Sequence, residues 1–206
     1  FMNKYVVKNK ITKFIVPFFI VLFGIYDLIG KEMTFEVNQK LKTEYLSDQN
    51  FIQQIESQFD VENEKIMIAQ YPYLSFPENP GIHKMGNYEQ FQGYIHSDKL
   101  YWSFGSIKGR EADTWWESLN KKPIEEQVKT LQEAGFSGVM INRNGYQDNA
   151  ENIESSLTQL LGSKPMVSEN KILSFFELYP SGTEVLMAKI LFNSFYPWEG
   201  DPGQFR

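Results

Sequence analysis

The chain contains no cysteine and only two histidines, His83 and His96, among 206 residues. The first absence excludes disulfides, thiol nucleophiles and thiolate metal sites. The histidines stand apart, with neither H-x-H nor H-E-x-x-H around them, so no metal and no cofactor is expected. Glycine-rich phosphate loops are missing as well, since Lys108-Gly-Arg110 has too few glycines to cradle a phosphate. Trp102-Ser-Phe-Gly-Ser106 is not a nucleophile elbow, which leaves Ser103 and Ser106 without that signature. Basic charge is scarce beyond the N-terminus. The formal net charge is −6, yet the first thirteen residues hold four lysines and no acid, leaving −10 for the rest. Such a body repels nucleic acid, and no nucleic-acid partner is expected.

What the chain does have is a basic flank and then an apolar run. Lys4, Lys8, Lys10 and Lys13 lead into residues 14–26, which carry no charge. Residues 11–30 would make a helix of about 30 Å, the thickness of a hydrocarbon core. Lys13 can snorkel, and Pro17 lies near the start of the span, where a missing N–H costs least. The charge asymmetry predicts one transmembrane helix with a cytoplasmic N-terminus and the remainder outside. A cleaved signal peptide has the same basic and apolar regions, but no small-x-small cleavage site follows here. A buried core helix is rarely apolar on every face. Phe1 precedes Met2, as at a fragment edge, so the span reads as the last of several.

The predicted organisation is a flank and span over 1–30, a connector over 31–49, an extracytoplasmic domain over 50–180, and a truncated further element over 181–206. Ser47 or Asp48 is placed to cap a helix with Phe51, Ile52, Ile55 and Phe59 on one face. Residues 65–70 read as a short buried strand. Residues 71–80 contain Pro72, Pro77 and Pro80 and read as an extended loop. A strand is expected at 101–105 and a short helix at 112–120. Pro123 opens the clearest helix, with Glu125 and Glu126 in its first turn and Gly135 as its stop. A buried strand over 136–142 follows, then a helix capped by Asp148 or Asn149, with Ile153, Leu157, Leu160 and Leu161 inward. Residues 165–178 read as a hairpin turning at Glu169-Asn170. Residues 185–195 fit a helix or a strand. The fold class is α/β: one N-terminal transmembrane helix, then a small mixed-sheet α/β domain.

The densest polar constellation runs from Tyr101 to Trp116. It brings Lys108, Arg110, Glu111 and Asp113 beside Trp102, Trp115 and Trp116. Aromatic faces stack on the apolar side of sugar rings, while arginine and acids hydrogen-bond hydroxyl pairs. A glycan site fits these residues, with Arg110 as charged anchor and Trp102 or Trp115 as stacking face. The competing reading makes the indoles core and pairs Arg110 with Glu111 or Asp113. Arg143 opens a loop at the carboxyl end of a strand, where open α/β sheets tend to place ligand groups. Asn144-Gly145 is equally a plain turn. Carboxylate pairs suited to hydrolysis cannot be selected from sequence, so no catalytic residue is assigned.

Several blocks carry a family resemblance: Pro72-Tyr-Leu-Ser-Phe-Pro-Glu78, Gly93-Tyr-Ile-His-Ser97, Tyr101-Trp-Ser-Phe-Gly-Ser-Ile-Lys-Gly-Arg110, Ala134-Gly-Phe-Ser-Gly138, Asn142-Arg-Asn-Gly-Tyr146 and Phe195-Tyr-Pro-Trp-Glu199. Together they resemble the C-terminal part of bacterial multi-spanning C-type glycosyltransferase-like membrane proteins, variously described as sugar transferases, sugar translocases or phosphoglycerol transferases. The resemblance implies an inner-membrane protein with a periplasmic domain, taking part in envelope polysaccharide assembly from a lipid-linked sugar. In such enzymes the catalytic acid lies in an early loop that this chain lacks, so no catalytic role carries over. Three expectations follow: a non-catalytic domain that positions glycan or packs on the membrane body, an autonomous carboxylate-based glycan hydrolase or transferase, or a membrane-anchored structural interaction module.

Overall fold

The computed structural model describes residues 12–28, 35–61 and 65–181. The chain divides into two compact units, Phe1–Tyr45 and Leu46–Arg206. The basic flank at 1–11 and the tail at 182–206, including the helix or strand expected over 185–195, lie outside the described residues.

The first unit contains helix α1, Thr12–Leu28. Its side chains from Lys13 onward are exposed, Phe14, Phe19 and Phe23 among them. Seventeen residues rise about 26 Å, short of a hydrocarbon core of about 30 Å. Among the described residues no helix is long and apolar enough to cross a membrane.

Helix α2 runs from Phe35 to Glu56, so helical structure begins well before the start predicted at Ser47-Asp48. Those two residues are mid-helix and do not cap it. Ser47 Oγ instead accepts the Asn170 N–H at 3.1 Å, and Asp48 Oδ1 accepts the Asn170 amide at 3.0 Å. A local capping signature thus serves a contact with a turn more than a hundred residues away.

The second unit is mixed α/β around a five-stranded sheet of order β2-β1-β3-β5-β4. The strands are β1 (Met67–Tyr71), β2 (Tyr101–Trp102), β3 (Phe136–Asn142), β4 (Met166–Val167) and β5 (Leu173–Glu177). β1 pairs in parallel with β2 and β3, while β5 runs antiparallel to β3 and β4. The helices are α3 (Gln92–His96), α4 (Glu111–Asn120), α5 (Ile124–Glu133) and α6 (Glu151–Leu161). The hairpin predicted over 165–178 is β4–β5, and Lys171 turns in it at φ 60°.

Strand alternation sends side chains to two cores. Ala69, Tyr71, Val139, Ile141 and Phe176 meet Trp116, Val128, Leu131 and Leu157 of α4, α5 and α6. Ile68, Trp102, Met140, Leu173 and Phe175 meet Phe51, Ile52 and Ile55 of α2 on the opposite face. Val139, Met140 and Ile141 are fully buried in the central strand, as the sequence predicts; Leu131 and Leu157 lie over Val139 and Ile141, while Met140 faces the α2 side. Leu160 is a correction: it is 42% exposed, one step off the inward face of α6 that Ile153, Leu157 and Leu161 define. Gly138 permits the crossing of β3 and β5, because a Cβ there would meet the Phe175 ring at 2.3 Å.

Candidate functional site

The chain leaves β1 toward α3, whose Tyr94 packs on the α2 face of the sheet. It leaves β2 toward α4, on the opposite face. Neighbouring parallel strands whose connections diverge in this way open a crevice at their carboxyl ends, the usual ligand position in open α/β sheets. The two loops at that crevice are residues 72–78 and 103–110.

The loops are stitched together. Phe76 donates its N–H to the Ser106 carbonyl at 2.9 Å, and Lys108 donates to the Phe76 carbonyl at 2.7 Å. A turn follows, closed by the Arg110 N–H on the Ile107 carbonyl at 3.0 Å. Gly109, third in that turn, has φ 79°, the value a type II turn requires at this position. Lys108 therefore stands at the corner of the turn.

Beneath the turn lies Asp113, 4% exposed. It accepts the Tyr73 hydroxyl at 2.5 Å and the Gly109 N–H at 2.7 Å, and hydrogen-bonds Ser75. Burial alone would raise its pKa. The bonds from Ser75, Tyr73 and Gly109, with the Lys108 charge nearby, outweigh burial and hold the carboxyl below its ordinary value. Tyr73 is pushed well above an ordinary tyrosine, by burial first and by the Asp113 bond next. The Tyr73 ring stacks on Trp116, 5.7 Å between centroids at 11°.

A buried amide network supports the same loops. Gln70 donates to the Gln90 carbonyl at 2.7 Å and accepts the Phe104 N–H at 3.0 Å, while Gln90 donates to the Pro72 carbonyl at 3.1 Å. Ser103 Oγ accepts the Gln70 N–H at 2.8 Å. Both Ser103 and Ser106 are buried, which suits them to fastening the loops and removes them from a solvent-borne substrate.

The sequence-predicted residues separate into three settings. Lys108, Arg110 and Glu111 are exposed, and among the described residues Arg110 forms no ion pair with Glu111 or Asp113. Asp113 and half-buried Trp115 sit beneath them on α4, with Trp115 edge-on to Trp116 at 4.8 Å. Trp102 is 1% exposed and packs against Gly93, with its indole N–H on Ser97 Oγ at 2.8 Å. It offers no stacking face to solvent, contrary to expectation, because β2 directs it into the α2-side core.

Arg143 is likewise engaged. Its guanidinium holds Glu154 at 2.7 and 2.8 Å and donates to the Lys171 carbonyl, and Glu154 also accepts the Ser174 hydroxyl at 2.6 Å. It locks α6 to the β4–β5 hairpin. His96 is buried, and burial lowers its pKa, while His83 is exposed. Among the described residues no group of acids and histidines is placed to hold a metal.

Sequence reading missed Tyr73 and Ser75, which close on Asp113 across about forty positions. The block Pro72-Tyr-Leu-Ser-Phe-Pro77 that holds them carries no local chemical signature. Comparison with protein-family models, curated proteins and solved structures returned no match.

Proposed function

We propose that the chain is the non-catalytic extracytoplasmic part of a bacterial membrane glycosyltransferase-like protein, and that its α/β domain positions an envelope glycan. The exposed apolar helix α1 supports attachment to a membrane, although its described residues fall short of a span; the inner-membrane crossing and the periplasmic side rest on the charge asymmetry of the sequence. The observation that carries the glycan reading is the turn over residues 107–110. It is pinned from below by Asp113 and from the side by Phe76, yet it leaves Lys108 and Arg110 exposed; among the described residues Arg110 has no ion-pair partner, and Lys108 meets Asp113 only as a nearby charge. A rigid turn presenting hydrogen-bonding cations loses little entropy on binding.

Carboxylate-based hydrolysis is less well supported. Asp113 is held ionised and fully hydrogen-bonded, and Tyr73 is held protonated, so neither is poised to exchange a proton near neutral pH.

The test is titration calorimetry of the full chain with dextran phosphate, a soluble acidic glycan, and with unmodified dextran. The reading expects saturable binding of the acidic polymer. Absence of binding, or measurable hydrolysis of either polymer, would contradict it.

A further inference from the structure

The buried Trp102 removes one of the two stacking faces expected of the site, and Trp115, the other, is half-buried. The structure supplies a more exposed one. Phe76, Tyr88, Phe91 and Phe104 form an aromatic cluster beside the turn. Phe104 is its buried root, 4% exposed. Phe91 meets Phe104 edge-on at 4.9 Å, and Phe76 meets Phe91 at 5.8 Å and Phe104 at 6.1 Å. Tyr88 is the outermost ring. One side lies along Phe91, 6.0 Å between centroids at 23°, and the residue remains 44% exposed. Its hydroxyl has no partner among the described residues. An aromatic ring backed by a cluster and still exposed to solvent is a surface that carbohydrate rings stack against.

The position of this ring ties it to the cations. Tyr88 stands 6.3 Å from Phe76, centroid to centroid, and the Phe76 backbone is bridged to Ser106 and Lys108. The ring and the Lys108 backbone thus flank the same residue, Phe76, one against its side chain and the other against its backbone. Glu111 is exposed beside Arg110, and Glu78 beside Phe76. A mixture of cations and carboxylates around an aromatic face suits a hydroxyl-rich ring carrying an acidic substituent. A single acidic substituent meets only the cations of the turn, whereas an anionic bilayer would also face the neighbouring carboxylates Glu78 and Glu111.

We propose that Tyr88 is the stacking platform of the site, taking one pyranose ring of an acidic glycan whose phosphate, sulfate or carboxylate is held by Lys108 and Arg110. This rests on the glycan-positioning reading above. The experiment measures the affinity of the full chain for dextran phosphate, with inorganic phosphate and phosphatidylglycerol vesicles as comparison probes. Tyr88→Phe should bind nearly as the parent does. Tyr88→Leu keeps apolar bulk but loses the aromatic face. It should bind about tenfold more weakly at unchanged melting temperature, the scale of one aromatic contact. A Tyr88→Trp variant gives a second readout, since its emission should shift when dextran phosphate is added.

Unchanged affinity in Tyr88→Leu alongside weakened affinity in Arg110→Ala overturns the platform and leaves the glycan reading intact. Absence of dextran phosphate binding by the parent overturns both. Vesicle binding that survives Tyr88→Leu, without glycan binding, assigns the surface to lipid and overturns the platform. Inorganic phosphate binding as tightly as the polymer, or an unshifted Tyr88→Trp spectrum at saturation, also overturns it.

Discussion

Asp113 and Arg143 are both charged residues near the carboxyl ends of strands and both largely withdrawn from solvent, but they fasten different parts of the fold. Asp113 organises a turn from within. Its pKa is depressed in the folded state, so the folded protein binds fewer protons there than the unfolded chain does. Its contribution to stability is complete above the unfolded pKa of about 4 and is lost as pH falls through the depressed folded value. Melting temperature measured from pH 7 down to pH 2 should fall less steeply in Asp113→Asn than in the parent, from a lower starting point at neutral pH. Parallel curves would mean that Asp113 does not carry this acid sensitivity. Arg143→Ala leaves Glu154 with only the Ser174 hydroxyl, in a site where both ion-pair side chains are at least four-fifths buried. Denaturant unfolding should register a loss of about 2–4 kcal/mol, between the surface and fully buried cases. Glycan affinity should not change. Weakened binding in a fully folded Arg143→Ala protein would return Arg143 to the site.

At the scale of elements, local signals located most of the fold. Strand β3 was legible because seven residues between Gly135 and the Asn144-Gly145 turn carry an apolar run, and α5 because its acidic first turn and glycine stop are both local. Leu131→Ala should cost about 2–5 kcal/mol in denaturant unfolding, the range for a truncated buried leucine. A loss under about half a kcal/mol would fit a surface position and contradict the packing of α5 on β3. What the sequence could not disclose were features decided by distant partners. Ser47 and Asp48 look like a helix start until Asn170 is brought to them. Trp102 looks like a platform until strand parity turns it inward. The Tyr73–Asp113 pair exists only because the loop after five-residue β1 and the first turn of ten-residue α4 meet at one crevice.

For the whole molecule, two properties remain to be joined: an N-terminal flank of +4 with an exposed apolar helix, and an acidic α/β body with a cationic turn at its crevice. The proposed topology places Lys4 in the cytoplasm and Lys164 outside. A reporter fused after Gly162 should therefore be active only if it functions outside the cytoplasm. Activity of a cytoplasm-dependent reporter at that position would contradict the localisation while leaving the crevice chemistry untouched.

The central claim is that residues 107–110 form a binding turn, with Arg110 as its charged anchor. Arg110→Ala, assayed for melting temperature and for dextran phosphate affinity on the same preparation, tests it most directly. Arg110 is exposed and has no ion-pair partner among the described residues. The account therefore predicts a melting temperature close to the parent's and an affinity weaker by about tenfold, the scale of one charge-assisted contact. A marked fall in melting temperature, with affinity of the remaining folded protein unchanged, would contradict it.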